Sequence, residues 1–390
     1  MNIIFAGIIG RHPYGGMAWC SLNYLLGLQR LGHRVWYLED TGECNYDPEQ
    51  NTISKDPRYA LDFIRRCLEP FGLADRWCYI DYRGGYHGKT RDAWRRICAE
   101  ADLFLDLSGG CWFWRDEYLS IPRSAFIDSD PAFTQLNIAE HVSERGPDWH
   151  NDSLTYAGYF EQFDTLFTFG HNIGTPACPV PTSSLHWQPT WQPVCVDEWR
   201  PTPELPRPYF TTVMSWKFED FVGIGGGKDL EFRKILDLPS STDVPLELAV
   251  NAPSEQLEPV KELLRRHGWR CQDAFSVSYD LNAYRQYLSS SLGEFGAAKH
   301  TYVHYKTGSL SDRTECYLAS GRPAVVQDIG FSAHLPTGEG LFAYRTAEEA
   351  IEGLEEVLAD YKRHSRAARD LAVTYFDARR VLSDLLERIP

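Results

Sequence analysis

The sequence predicts an α/β protein with parallel sheets in two domains, on three observations. The first 38 residues read as strand, glycine-rich loop, helix and strand. Residues 309–331 (SLSDRTECYLASGRPAVVQDIGF) join a charged loop, a short amphipathic helix, a Gly-Arg-Pro break and a buried strand. The 390-residue length exceeds one ordinary core and suits two domains of about 200 residues each.

Asn2 to Gly7 is an apolar strand, and Ile8 to Gly16 follows as a glycine-bearing loop. A helix is predicted over Met17–Leu31, where Leu22, Leu25, Leu26, Leu28 and Leu31 form an apolar stripe at helical spacing. Gly32-His33 closes it and Arg34–Leu38 is the next strand, so the unit predicts a right-handed crossover. Gly15 and Gly16 lack a Cβ and have positive φ available. They could let the backbone approach a phosphate or sugar, or simply form a turn. No G-x-G-x-x-G or Walker pattern supports a dinucleotide or ATP site.

Helices follow near Tyr59–Cys67 and Thr90–Ala101, with an apolar Tyr79–Tyr82 segment between them. Leu103–Leu107 and Ser124–Asp128 read as buried strands ending in small and acidic residues. Parallel strands aim such ends at one crevice, which makes Asp106, Ser108, Asp128 and Asp130 candidates for handling an acceptor, against the alternative of plain turn residues. Trp112, Phe113, Trp114 and Phe133 fall nearby, as stacking surfaces or as core. Thr165–Gly170 is a further strand, followed by His171, another acceptor-side candidate. From Thr175 to Pro208 the proline density excludes regular helix and marks a linker, which Trp187, Trp191 and Trp199 would hold against the domains.

The second domain opens with a strand at Tyr209–Met214 and a loop holding Ser215, Lys217 and Gly225-Gly226-Gly227-Lys228. A strand at Leu246–Val250 and helices at Pro253–His267 and Leu281–Ser291 come next, then a loop from Gly293 to His300. In the 309–331 segment, Asp312 and Arg313 open the helix, flanked by Ser311 and Thr314. There the helix dipole and an arginine fork favour a diphosphate. Gly321 and Pro323 end that helix, and Ala324-Val325-Val326 is a buried strand. Its end places Asp328, Gly330, Phe331 and Ser332 as a second wall of the site. Glu348–Tyr361 and Ser365–Leu386 are long amphipathic helices.

Composition narrows the function. The formal charge of −15, with 54 acidic and 39 basic residues, argues against a nucleic-acid binder, which needs clustered Lys and Arg. Ten cysteines show no C-x-x-C spacing, so no structural metal site is expected and the thiols read as reduced. No stretch of about twenty apolar residues occurs, and the expected setting is cytoplasmic, with no integral membrane segment.

The segment ECYLASGRPAVVQDIG resembles the C-terminal half of GT-B glycosyltransferases, whose helix reads roughly E-A-x-A-x-G-x-P ahead of a V-V-x-x-D-x-G strand and loop. The opening strand, Gly-Gly loop, helix and Gly-His pair resemble their first half, in the family 4-like group. The resemblance implies two Rossmann-like, doubly wound domains facing a cleft: an acceptor domain at 1–200, a nucleotide-sugar domain at 201–365, and a C-terminal helix at 366–390 crossing back. Cys316 stands where many members carry a ribose-binding glutamate, with Glu315 one residue earlier, whereas Arg313 keeps a spacing used by related families. Ser215-Trp216 stands at the usual arginine, which makes Lys228 the diphosphate lysine and Lys217 the second choice. Glu294 and Lys299 would border the donor, and Gly15 and Gly16 would reach toward its phosphates.

The implied activity is metal-independent transfer of a hexose from a nucleotide-diphosphate sugar to a hydroxyl of a small molecule or glycan, with no cofactor beyond that co-substrate, by a monomer or homodimer. His12 would be the base of an inverting enzyme, or a substrate-binding residue if the donor phosphate takes the proton in a retaining one. Arg313 and Lys228 would carry the electrostatic role. An epimerase or hydrolase, a non-enzymatic nucleotide-sugar binder, and an enzyme acting on modified DNA bases are the alternatives, the last opposed by the charge.

Overall fold

The computed structural model describes residues 1–141, 155–202, 207–216 and 226–390, and the chain divides into two units, each with its own sheet. Lys217, Gly225, Pro203 and Pro206 lie outside the described residues. Unit 1 comprises 1–169, 180–195 and 378–390; unit 2 comprises 170–179 and 196–377.

Unit 1 runs β1 (Asn2–Ala6), α1 (Gly15–Arg30), β2 (Arg34–Glu39), a hairpin β3 (Asn45–Asp47) and β4 (Thr52–Ser54), α2 (Arg58–Leu68), β5 (Trp77–Ile80), β6 (Tyr86–His87) and α3 (Arg91–Ala99). It continues with β7 (Leu103–Leu107), α4 (Asp116–Leu119), β8 (Ser124–Asp128), α5 (Phe133–Glu140), α6 (Tyr156–Phe160), β9 (Thr165–Thr168) and β10 (Trp187–Pro189). The sheet order is β10-β9-β8-β7-β1-β2-β5-β6, parallel throughout except where β6 turns back on β5. Ile3 to Ala6 are fully buried, as are Leu103, Leu105, Ala125 and Ile127, because helices cover both faces of a parallel sheet. Each such branched side chain contributes about 1.5–3 kcal/mol.

The order reverses between β1 and β7. The chain winds one way from β1 through β2 to β5, and the other way from β7 to β10. Gly110, after β7, has to be glycine: a Cβ there would sit 2.2 Å from the backbone nitrogen of Gly7. The carboxyl ends of β1 and β7 therefore touch at the switch point.

Unit 2 runs β11 (Phe210–Ser215), α7 (Lys228–Phe232), β12 (Leu246–Asn251), α8 (Ser254–Arg266), β13 (Arg270–Asp273), α9 (Ala274–Ser278), α10 (Leu281–Ser289), β14 (Gly293–Gly296) and α11 (His300–Tyr305). There follow α12 (Asp312–Ala319), β15 (Ala324–Gln327), β16 (Leu341–Tyr344), α13 (Ala347–Ala359) and α14 (Tyr361–Leu371). The sheet is all parallel, β13-β12-β11-β14-β15-β16, and reverses between β11 and β14. Its core gathers Phe210, Phe232, Leu248, Val250, Trp269, Phe295 and Val325.

Two readings need correction here. Gly293–Gly296, expected as loop, is a buried strand, because pairing on both sides with β11 and β15 outweighs the poor strand propensity of two glycines. The long helix expected at Ser365–Leu386 is broken: α14 ends at Leu371, a π-helical turn spans Ala372–Phe376, and α15 (Ala378–Glu387) follows. α15 belongs to unit 1, where Leu382 and Ala378 pack against Gly27 of α1 and the Ala378 N–H donates to the Val194 carbonyl. Of the linker tryptophans, Trp187 in unit 1 and Trp199 in unit 2 are buried. Among the described residues no helix is long and apolar enough to cross a membrane.

Candidate functional site

In an open parallel sheet the strand ends at the point of reversal leave a crevice where ligands bind. In unit 2 that point is framed by Ser215 at the end of β11, the Ala297–Lys299 turn after β14, and the first turn of α12. Arg313 reaches into this frame from α12. Its Nε donates to Glu294 Oε1 at 2.7 Å and its Nη1 to the Val213 carbonyl at 2.8 Å. Glu294 is fully buried, with Oε2 left without a hydrogen-bond partner among the described residues. The Glu294 carboxylate raises the Arg313 pKa despite burial, so the guanidinium is permanently charged.

Lys228, the first residue of α7, stands in the same field. Among the described residues no carboxylate comes within ion-pair distance of its Nζ, and desolvation with Arg313 nearby pushes its pKa well down. Glu294, Lys299 and Asp312 lie within electrostatic reach of it. A lysine disfavoured as a cation by burial and a neighbouring arginine regains its charge when an anion arrives. The arrangement is therefore built to receive negative charge. Lys299 precedes α11, with Nζ 3.4 Å from the Tyr302 hydroxyl, and Ser311 caps α12 without a side-chain cap bond, its Oγ donating to Asp312. Ser215 is exposed, and Thr314 is buried beneath the turn.

The expected second wall is partly scaffold. Asp328 Oδ1 accepts from the Gly330 N–H at 2.9 Å, and Oδ2 from Ser332 Oγ at 2.8 Å and Arg345 at 3.0 Å, so this carboxylate shapes its own turn. Gly330 holds φ at 99°, and a Cβ there would meet the Asn172 side chain at 2.6 Å. Phe331, expected at the donor, is 1% exposed and belongs to the core, a correction that follows from its place in the short 3-10 turn.

In unit 1, His12 lies in the β1–α1 loop beside the switch point, half-buried, and desolvation with Arg11 next to it lowers its pKa to about 4. Gly15 and Gly16 do not use the positive φ available to them. They are the first two residues of α1, whose N-terminus lacks a side-chain cap. Asp106 is fully buried, accepting from the Tyr159 hydroxyl at 2.8 Å and the Cys111 N–H at 3.3 Å, and burial raises its pKa to about 7. It cannot touch an acceptor; it braces the turn after β7. Asp128 is likewise buried and engaged by Thr134, Gln135 and Thr168. Ser108 pairs with Ser129 at 2.6 Å, and Asp130 keeps partial exposure in the adjacent turn. His171 falls in unit 2, whereas the other acceptor candidates belong to unit 1, and its ring lies 5.2 Å from that of His334. Trp114 and Phe133 are core, whereas Trp112 and Phe113 keep exposed surface.

Sequence reasoning missed the residues that hold these loops. Glu231 on α7 accepts from Lys234 at 2.7 Å, His300 Nδ1 at 2.6 Å and Gln327 at 2.6 Å, while Gln327 Oε1 accepts from the Ala298 N–H. This buried carboxylate ties the start of α7 to the turn after β14. In unit 1, Asp40 takes both prongs of Arg115, at 2.6 and 2.9 Å, and the Tyr118 hydroxyl at 3.0 Å. A carboxylate closing an apolar strand, as Glu39 and Asp40 close β2, was the available signal.

No protein-family model matches the chain, and no curated protein matches it. Solved structures do. An alpha-glucosyltransferase in complex with UDP and a 13-mer DNA superposes with a TM-score of 0.57 at 12% identity, over 99% of this chain and 98% of that one. HepE of Anabaena, in complex with UDP and glucose, gives 0.55 at 13% over 99% and 98%. AviGT4, a glycosyltransferase involved in avilamycin A biosynthesis, gives 0.52 at 16% over 100% and 96%. With its two parallel-sheet units and a C-terminal helix against the first helix of unit 1, the chain has the GT-B fold of these glycosyltransferases.

Proposed function

We propose that this protein is a glycosyltransferase that moves a hexose from a nucleotide-diphosphate sugar to an acceptor hydroxyl, without a catalytic metal. The observation that carries the reading is the cationic crevice at the unit 2 switch point, where Arg313, fixed by Glu294 and the Val213 carbonyl, stands by the charge-starved Lys228. In the transfer, the bond between the anomeric carbon and the β-phosphate oxygen breaks, and one forms to the acceptor oxygen. The leaving diphosphate gathers negative charge, which Arg313 and Lys228 stabilise where it develops.

The acceptor proton needs a destination. His12, with its pKa near 4, is neutral at pH 7 but a poor base for a hydroxyl. That favours the retaining course, in which a departing phosphate oxygen takes the proton and His12 contacts substrate. Ser215, Lys299, Ser311 and Asp312 complete the donor set in unit 2. Ser108 and Asp130 stay on the acceptor side.

The alpha-glucosyltransferase and HepE were both solved with UDP, which makes UDP sugars the first donors to try. DNA in the former does not carry over readily, since this chain bears a charge of −15. A thermal-shift panel of UDP-, GDP-, ADP- and dTDP-sugars tests the reading, because a ligand bound only by the folded state raises Tm. A rise with one nucleotide class, lost in Arg313→Ala, supports it. No rise with any donor refutes it.

A further inference from the structure

His12 sits on the β1–α1 loop, but a carboxylate from the neighbouring strand holds that loop. Glu39 ends β2 and is fully buried. Its Oε2 accepts from the Gly10 N–H at 2.8 Å and the Tyr37 hydroxyl at 2.6 Å, and its Oε1 accepts from the Arg11 N–H at 2.6 Å. The Tyr37 hydroxyl accepts in turn from the Ile9 N–H at 2.8 Å. Two successive loop amides thus end on one carboxyl group and a third reaches it through the Tyr37 hydroxyl, and the next residue is His12. The loop then closes on itself as the Tyr14 N–H donates to the His12 carbonyl at 2.7 Å.

The charged and titratable groups facing Glu39 are Arg11 from the loop, Tyr37 from its own strand and Tyr79 from β5. Arg11 is itself ion-paired with Glu43, so it does not serve Glu39 alone. Burial pushes the Glu39 carboxyl up to about 7, against the opposing pull of its hydrogen bonds. An ionised carboxylate accepts from amides more strongly than a neutral acid does. The grip on the loop therefore tightens as pH rises through neutrality.

We infer that Glu39 is a positioning residue: its carboxylate sets the β1–α1 loop and, through it, the placement of His12 during transfer. The inference rests on the glycosyl-transfer reading above. It also assigns any rise of turnover near neutral pH to Glu39 and not to His12, which ionises far lower.

The test uses Glu39→Gln, with Tyr37→Phe as a gentler variant that removes the Ile9 link and the hydroxyl's bond to Glu39 but keeps the carboxylate and its two direct amide bonds, each alone and combined with His12→Ala. Amide hydrogen exchange at residues 9–11 reads the loop directly. Initial rates use the nucleotide sugar with the largest thermal shift. Both variants should speed exchange of those amides, Glu39→Gln by about tenfold or more. Glu39→Gln should lower kcat by no more than His12→Ala does, less than about tenfold, with donor KM nearly unchanged, as a misplaced group does. It should flatten the rise of kcat near pH 7, and it should cost little more once His12 is alanine. Unchanged exchange in both variants, or costs of Glu39→Gln and His12→Ala that add in full, would overturn the inference. Were no nucleotide sugar turned over at all, the transfer reading would fall, and exchange would still decide whether Glu39 holds the loop.

Discussion

The two switch points are built alike and charged oppositely. In unit 1, the strand ends carry Glu39, Asp40, Asp106 and Asp128, all buried and all satisfied by neighbouring donors. Burial raises the pKa of each, so the protein holds them with local hydrogen bonds and leaves little charge to offer. In unit 2, the helix starts at the switch point present Arg313, Lys228 and Lys299, with the buried carboxylate of Glu294 gripping the arginine. The same topology thus yields one crevice that resists an anion and one that lacks it. We propose on these electrostatic grounds that a diphosphate takes the second, whatever the sugar it carries.

The sharpest way to break this contrast is Arg313→Ala. It leaves Glu294 buried and unpaired, which should cost about 3–5 kcal/mol in urea unfolding. It should also lower kcat by about 10²–10³, the usual loss when a donor aimed at developing charge is removed. Arg313→Lys should recover little of either, because an ammonium cannot bridge Glu294 and the Val213 carbonyl as the fork does.

Unit 1 should answer to pH instead. Glu39 and Asp106 titrate near 7 when folded, against 4.5 and 3.8 ordinarily, so the folded state favours their protonated forms. The associated stability is complete below about pH 4 and is lost as pH rises to about 7, roughly 3–4 kcal/mol for each group. His12 runs the other way, since its lowered pKa adds stability above about pH 6.5 that is lost as pH falls toward 4. Urea midpoints at pH 5 and pH 8 should therefore differ less in Glu39→Gln than in the parent protein.

Lys228→Met should raise Tm slightly, by removing a desolvated amine, and weaken nucleotide diphosphate binding by about tenfold. Binding to the parent protein should take up protons, because the bound anion raises the lowered Lys228 pKa. Titration calorimetry in buffers of different ionisation enthalpy checks this. His12→Ala should have the smallest effect, less than about tenfold in kcat, well below the 10²–10⁴ expected for a lost general base. A larger loss would point to the inverting course.

Much of the fold could be read from the residues, because β1, β7, β8 and β15 are short, mostly apolar runs and α1 is leucine-rich and buried without a break from Ala18 to Leu28. β14 could not, since GEFG has no strand composition and becomes a strand only between two partners far away in sequence. The site divides the same way. Arg313 at a helix opening is a local signal, legible from spacing. Its clamp on Glu294, nineteen residues earlier, and the hold of Glu39 on two amides of the preceding loop are tertiary. Asp106 misled because an acidic strand end looks the same in sequence whether it faces solvent or, as here, the Tyr159 hydroxyl.

The most direct test is a crystal structure of the protein with a nucleoside diphosphate. The diphosphate oxygens should lie within hydrogen-bond distance of the Arg313 guanidinium and Lys228 Nζ, at the carboxyl ends of β11 and β14. A nucleotide seated elsewhere, with Arg313 still engaged only by Glu294 and the Val213 carbonyl, would contradict this placement.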